Sequence, residues 1–248
     1  MADYLKRLIE HEEDVRYRTP AMNGDAEFKH APGRVPVLLS APHGAAHTRN
    51  GRMKEEDEFT AAMVLLVSEL TGAHALYARR YSHTDPNYYR DVPYKQCMAE
   101  IVRQHRICFV IDVHGASERH GIGVALGTME GKSCPAHYRR ILGVLKEAGF
   151  DSQADCLQRL DVDHLFKGGG GLRQETITRY ACQSLGVPSA QFELNPRLRV
   201  VQTMPFASYS KPFYGHPEMI RRTVDFFVQL VEAVQDSPPP AGSPPLSG

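Results

Sequence analysis

The sequence predicts an α/β fold, a mixed and largely parallel β-sheet flanked by helices, and three observations predict it. From residue 35 onward short apolar runs alternate with longer helical patterns, the order that βαβ units impose. One run, ICFVI at 107–111, is apolar at every position, as a strand buried on both faces must be. The chain has 248 residues, 42% of them hydrophobic, which suits a single core of this kind.

The elements follow in order. ADYLKRLIEHEE at 2–13 reads as an amphipathic helix and TPAMNGDAEFKHAPG at 19–33 as loop. VPVLLS (35–40) is a buried strand, EEDEFTAAMVLLVSELTG (55–72) a helix stopped by Gly72, and HALYAR (74–79) a second strand. A helix at 93–105 leads into the strand ICFVIDVHG at 107–115. Helices at 135–150 and 175–186 precede the strand PSAQFELN at 188–195, and 217–234 forms a long final helix. One domain over 1–234 is expected, with the Pro, Gly and Ser-rich stretch 235–248 as a disordered tail.

Composition narrows the partners. Lys plus Arg and Asp plus Glu both number 29, so overall charge draws the chain to neither nucleic acid nor an anionic membrane, and a small-molecule or peptide partner is expected. The apolar runs fall short of the roughly 18 residues that span a bilayer, and the charged N-terminus does not read as a secretory signal. A soluble, cytoplasmic protein is expected. The five cysteines are scattered without a CxxC pair, which favours buried thiols over a disulfide framework or a cysteine zinc site.

Three strand ends carry chemistry. VLLSAPHGAAH (37–47) places His43 just beyond an apolar run, with His47 four residues later. IDVHG places Asp112 and His114 two apart, hence on one face. QFELN sets Glu193 on the same face as Gln191 and Asn195. A lone histidine at a strand end usually serves structure; two at the ends of buried strands, flanked by small residues, suit metal ligation once a third donor is found. Acids at 55–58 are candidates, although the helix dipole alone favours acids in a first turn. On a helix running through Phe59, Met63, Leu66, Val67 and Leu70, Glu56 shares the buried stripe while Asp57 points sideways. Glu56 is therefore the expected ligand, with Glu58 in reserve, and His47 the expected pocket wall.

SAPHG (40–44), KEEDEFTA (54–61), RRYSHTDPNYYRD (79–91), IDVHGAS (111–117), FKGGGG (166–171) and QFELN (191–195) together resemble the N-formylglutamate amidohydrolases. That family is similar in fold to the zinc carboxypeptidase and aspartoacylase group, a phosphorylase/hydrolase-like architecture. The resemblance implies zinc held by His43, His114 and an acid of KEEDEF, with Glu193 as the general base. It implies hydrolysis of a formyl or acyl amide on an amino acid such as glutamate. The compact HxxE pair of the carboxypeptidases is absent, since Ala46 occupies the second position. An acidic substrate calls for arginine clamps. Among Arg79, Arg80, Arg90 and Arg173, the choice falls on Arg90 and Arg173, with Asn87 beside them, because their segments read as site-facing loops. The glycine run lacks the phosphate-loop pattern and suits a mobile flap. The rival expectations are a carboxypeptidase-type metallopeptidase and a non-catalytic metal-binding relative.

Overall fold

In the computed structural model, which describes residues 3–22, 24–205 and 212–236, the chain begins with α1 (Tyr4–Glu12), β1 (Arg16–Pro20), β2 (Phe28–Ala31), β3 (Val35–Ala41), β4 (His47–Arg49) and β5 (Arg52–Lys54). It continues through α2 (Thr60–Thr71), β6 (Ala73–Ala78), β7 (Arg80–Tyr81), α3 (Pro93–His105), β8 (Phe109–Gly115), β9 (Val124–Gly127) and α4 (Tyr138–Glu147). Last come β10 (Leu160–Val162), α5 (Ile177–Arg179), β11 (Ser189–Leu194) and α6 (Pro217–Val234).

A seven-stranded sheet in the order β10-β9-β11-β8-β3-β6-β2 organises these elements. Its four central strands are parallel, while β2 joins β6 and β9 joins β11 antiparallel. The expected mixed, largely parallel α/β architecture is thus the observed one. Alternation along each strand sends Val37, Leu39, Phe109 and Ile111 to a core shared with Leu8 of α1, Met63 of α2, Ile141 of α4 and Phe227 of α6. Leu38 and Val110 face the other way, onto Met98 and Ile101 of α3 and Ile177 of α5. Both faces are covered, so the central strands must be apolar throughout. Each of these large side chains contributes about 1.5–3 kcal/mol by leaving water.

The differences from expectation are local. Residues 19–33 contain the edge strand β2. The helix expected from residue 55 begins at Thr60, behind Phe59 in left-handed backbone at φ 61°; it does end at Gly72, also left-handed, as expected. The helix expected over 175–186 is a single α-turn running into a π-turn at Tyr180–Ser184. Of the expected tail, residues 237–248 lie outside the described residues. Among the described residues no helix is long and apolar enough to cross a membrane.

Candidate metal centre

Parallel pairing brings the carboxyl ends of β3, β8 and β11 to one side. Register sets Gln191 opposite Asp112 and Glu193 opposite His114. Because alternate residues share a face, Asp112, His114, Gln191 and Glu193 form one patch. His43 follows β3 in a tight turn. A Cβ on Gly44 would lie 2.6 Å from the Ala78 carbonyl and 2.9 Å from the Ala61 methyl, so glycine is what lets this turn sit between β6 and α2.

The third group is Asp57. Residues 55–59 precede the helix, so a helical wheel does not describe them. Instead the segment is pinned by hydrogen bonds. The Asp57 amide donates to the His43 carbonyl at 2.7 Å, and Arg199 donates to the Glu58 carbonyl. The buried Glu12 carboxylate accepts from the Phe59 amide at 2.6 Å and the Ala62 amide at 3.2 Å, satisfying two of the donors that a helix start leaves free. Burial pushes Glu12 up to about 7 against these bonds and that of Tyr17. Held by these bonds, and with Phe59 in sparsely populated backbone, the turn aims Asp57 at the strand ends. Its Oδ2 lies 3.4 Å from His43 Nδ1 and 3.5 Å from His114 Nδ1. The two Nδ1 atoms are 3.2 Å apart. Glu56, the ligand expected from helical spacing, instead directs its carboxylate toward Arg18 Nε, 3.5 Å away, and the Glu58 carboxylate is buried.

These three atoms fit a zinc ion. Zinc binds imidazole and carboxylate at about 2.0–2.2 Å, which spaces the ligand atoms of a tetrahedron by about 3.3–3.5 Å. The other nitrogen of His43 is hydrogen-bonded to a carboxylate, the arrangement that fixes a ligating tautomer, and that of His114 has a carboxylate within ion-pair distance. His43 Nε2 lies 2.9 Å from Asp85 Oδ1, and His114 Nε2 lies 3.1 Å from Asp112 Oδ1. Burial opposes charge on both rings, yet Asp85 and Asp57 around His43, and Asp112, Asp57 and Glu193 around His114, raise their pKa values above the ordinary one. Burial would raise Asp57 and Asp85 in turn, but the facing imidazoles hold both below the usual carboxylate range.

His43, Asp57, His114 and Glu193 line one cavity of about 400 Å³. Glu193 accepts from Gln191 Nε2 at 2.7 Å, and burial pushes its carboxyl up to about 7. The cations on the wall are Arg49 and Lys167. Arg49 is held by Asp85 Oδ2 at 2.5 Å and lies over the Tyr88 ring, 5.1 Å from its centroid.

No family model matches the chain, and no curated protein matches it in sequence. Solved structures do match. A gene product of Agrobacterium tumefaciens superposes with a TM-score of 0.54 at 11% identity, covering 84% of this chain and 93% of that one. A metallo-carboxypeptidase from Pseudomonas aeruginosa superposes with a TM-score of 0.50 at 12% identity, covering 92% of this chain and 68% of that one. The fold is zinc carboxypeptidase-like. At these identities the likeness concerns the fold alone.

Within this carboxypeptidase-like fold, the sequence-based site residues divide. His43, His114 and Glu193 converge. Asn87 reaches the cavity wall, where its Oδ1 accepts from the Ile177 amide at 2.8 Å. His47 lies behind the site instead of on its wall: buried, its ring stacks on His43 with centroids 4.0 Å apart. Arg90 projects outward with its side chain 83% exposed, 4.0 Å from Glu175. Arg173 is exposed and does not line the cavity. Arg79 and Arg80 are engaged with Asp25, and Arg79 also with Asp14. Sequence reasoning held Asp57 among its candidate acids but placed Glu56 and Glu58 ahead of it, and it did not single out Asp85, Arg49 or Lys167. A signal existed for Arg49, two residues beyond His47 on β4, and for Lys167, next to the glycine run.

Proposed function

We propose that this protein is a zinc-dependent amidohydrolase that cleaves a small N-formyl or N-acyl amino acid of the formylglutamate type. The observation that carries the reading is the convergence of His43, Asp57, His114 and Glu193 on one cavity of about 400 Å³, a size that small-molecule sites occupy.

His43, Asp57 and His114 would hold the ion, whose Lewis acidity lowers the pKa of water and polarises a carbonyl. Glu193 then acts as the base. Gln191 occupies Oε1 and leaves Oε2 to take a proton from the attacking water and return it to the departing amine. Burial raises this carboxyl above its ordinary value, which suits a group that must both accept and return a proton. Arg49 and Lys167 give an acidic amino acid two cationic partners, and Arg49 presents a planar fork suited to a carboxylate. A peptidase of carboxypeptidase type is the second reading, supported by the shared fold.

Zinc-loaded protein offered N-formyl and N-acetyl amino acids alongside short peptides separates the two. Faster release of free amino acid from formylglutamate supports the proposal, and turnover confined to peptides replaces it with the peptidase. His114→Ala should lose hydrolysis together with one equivalent of zinc. A variant that keeps both would sink the assignment.

A further inference from the structure

A second group of histidines gathers at the opposite end of the sheet. His74 lies at the start of β6, His30 on the edge strand β2, and His105 is the last residue of α3. Register sets His74 opposite Leu38 of β3 and Tyr77 opposite Ala41. His74 therefore sits three residues, about 10 Å, before the strand end that leads to His43.

We propose that His30, His74 and His105 form a second site for a divalent transition metal, tying β2 and α3 to β6. Each ring offers one nitrogen, and the three nitrogens lie within 4.8 Å of one another. His30 Nε2 and His74 Nδ1 are 3.2 Å apart, the spacing of two ligands on one tetrahedral ion. The rings of His74 and His105 approach with centroids 4.3 Å apart.

The local chemistry suits a cation. The Gly33 amide donates to His74 Nδ1 at 3.1 Å, which keeps that nitrogen unprotonated, with a lone pair that an ion would have to take over from the amide. Burial, reinforced by His105 and His30, lowers His74 to about 4, so it is a neutral imidazole at physiological pH. The charges bearing on His30 and His74 come from other imidazoles, not from carboxylates, so neither ring is held as the cation of an ion pair. An all-imidazole donor set selects zinc, copper, nickel or cobalt and not magnesium or calcium. Partial exposure of His105 leaves room for water to complete the coordination. The Gly33 amide competes for the His74 lone pair and no carboxylate is supplied, so binding should be weaker than at the His43 centre.

Equilibrium dialysis of metal-stripped protein against zinc, followed by metal analysis, tests the site. The wild type should hold two equivalents, and His105→Ala and His30→Ala one each, with amide hydrolysis unchanged. His105 is only half-buried, at the last position of α3, so its loss leaves the fold intact. Zinc should also raise the melting temperature of His114→Ala, and the additional change His105→Ala should abolish that rise. If His105→Ala holds as much zinc as the wild type, the proposal is overturned. If the wild type holds one equivalent and His105→Ala none, this site stands and the failure lies with the His43 centre.

Discussion

Asp85→Asn should separate the two tasks that one carboxylate performs. The fully buried Asp85 lies 2.9 Å from His43 Nε2, 3.3 Å from His47 Nε2 and 2.5 Å from Arg49 Nε. It also accepts from the Asn87 amide at 2.8 Å. An asparagine has one carbonyl oxygen for these partners, and its NH₂ must then face either Arg49 or an imidazole as a second donor. Charge-assisted hydrogen bonds are about twice as strong as neutral ones, and removing the partner that orients a metal-bound imidazole costs about 10–100-fold in metal affinity. That range corresponds to about 1.4–2.8 kcal/mol. Competition with a chromophoric chelator, in the His105→Ala background so that one centre reports, measures the affinity. Arg49 loses its anchor in the same variant, so KM for formylglutamate should rise more than KM for a neutral formyl amino acid, and excess zinc should restore kcat but not KM. Unchanged zinc affinity together with an unchanged KM ratio, in a variant that melts normally, would refute the reasoning.

Other expectations follow from the same geometry. Asp57→Asn should lose zinc at the His43 centre while Glu56→Gln retains it, as read by metal content. Glu193→Gln should keep the metal and lose about 10²–10⁴ in rate, and a wild-type rate should fall on acidification as Glu193, raised to about 7 and drawn downward again by bound zinc, takes up its proton. His43 and His114 have raised pKa values in the metal-free protein. Their contribution to its stability is therefore fully present below about 6.5 and lost as pH rises through the raised values; melting temperatures across that window check the sign. Zinc must displace the protons on both rings, so calorimetry in buffers of different ionisation enthalpy should show proton release, and affinity should weaken toward low pH.

Much of the fold was legible because its signals are local. The uninterrupted apolar run of β8 and the alternation ending β11 state both burial and facing, and they sufficed to bring His114 and Glu193 side by side. The edges of the sheet were not legible: β10 is three residues long, too short for a period, and β2 sits among turn-forming residues. Asp57 escaped for a different reason. Its direction is set by a left-handed Phe59 and by tethers from Glu12 and Arg199, residues 47 and 141 positions from the atoms they hold. A wheel drawn through Glu56 assumes a helix that those tethers forbid. Arg90 and Arg173 were chosen for the character of their loops, yet a loop's composition does not say which of its side chains turns inward.

The reach of Glu12 has a practical side. Helix α1 lies far from the cavity along the chain, yet its last residue supplies the acceptor for the Phe59 and Ala62 amides and so holds the turn that carries Asp57. Shortening the protein past residue 12 would strip those amides of their partner within the interior. A trimmed or N-terminally redesigned version should therefore be judged first by its zinc content, since damage there would be felt at the start of α2 before it showed as unfolding.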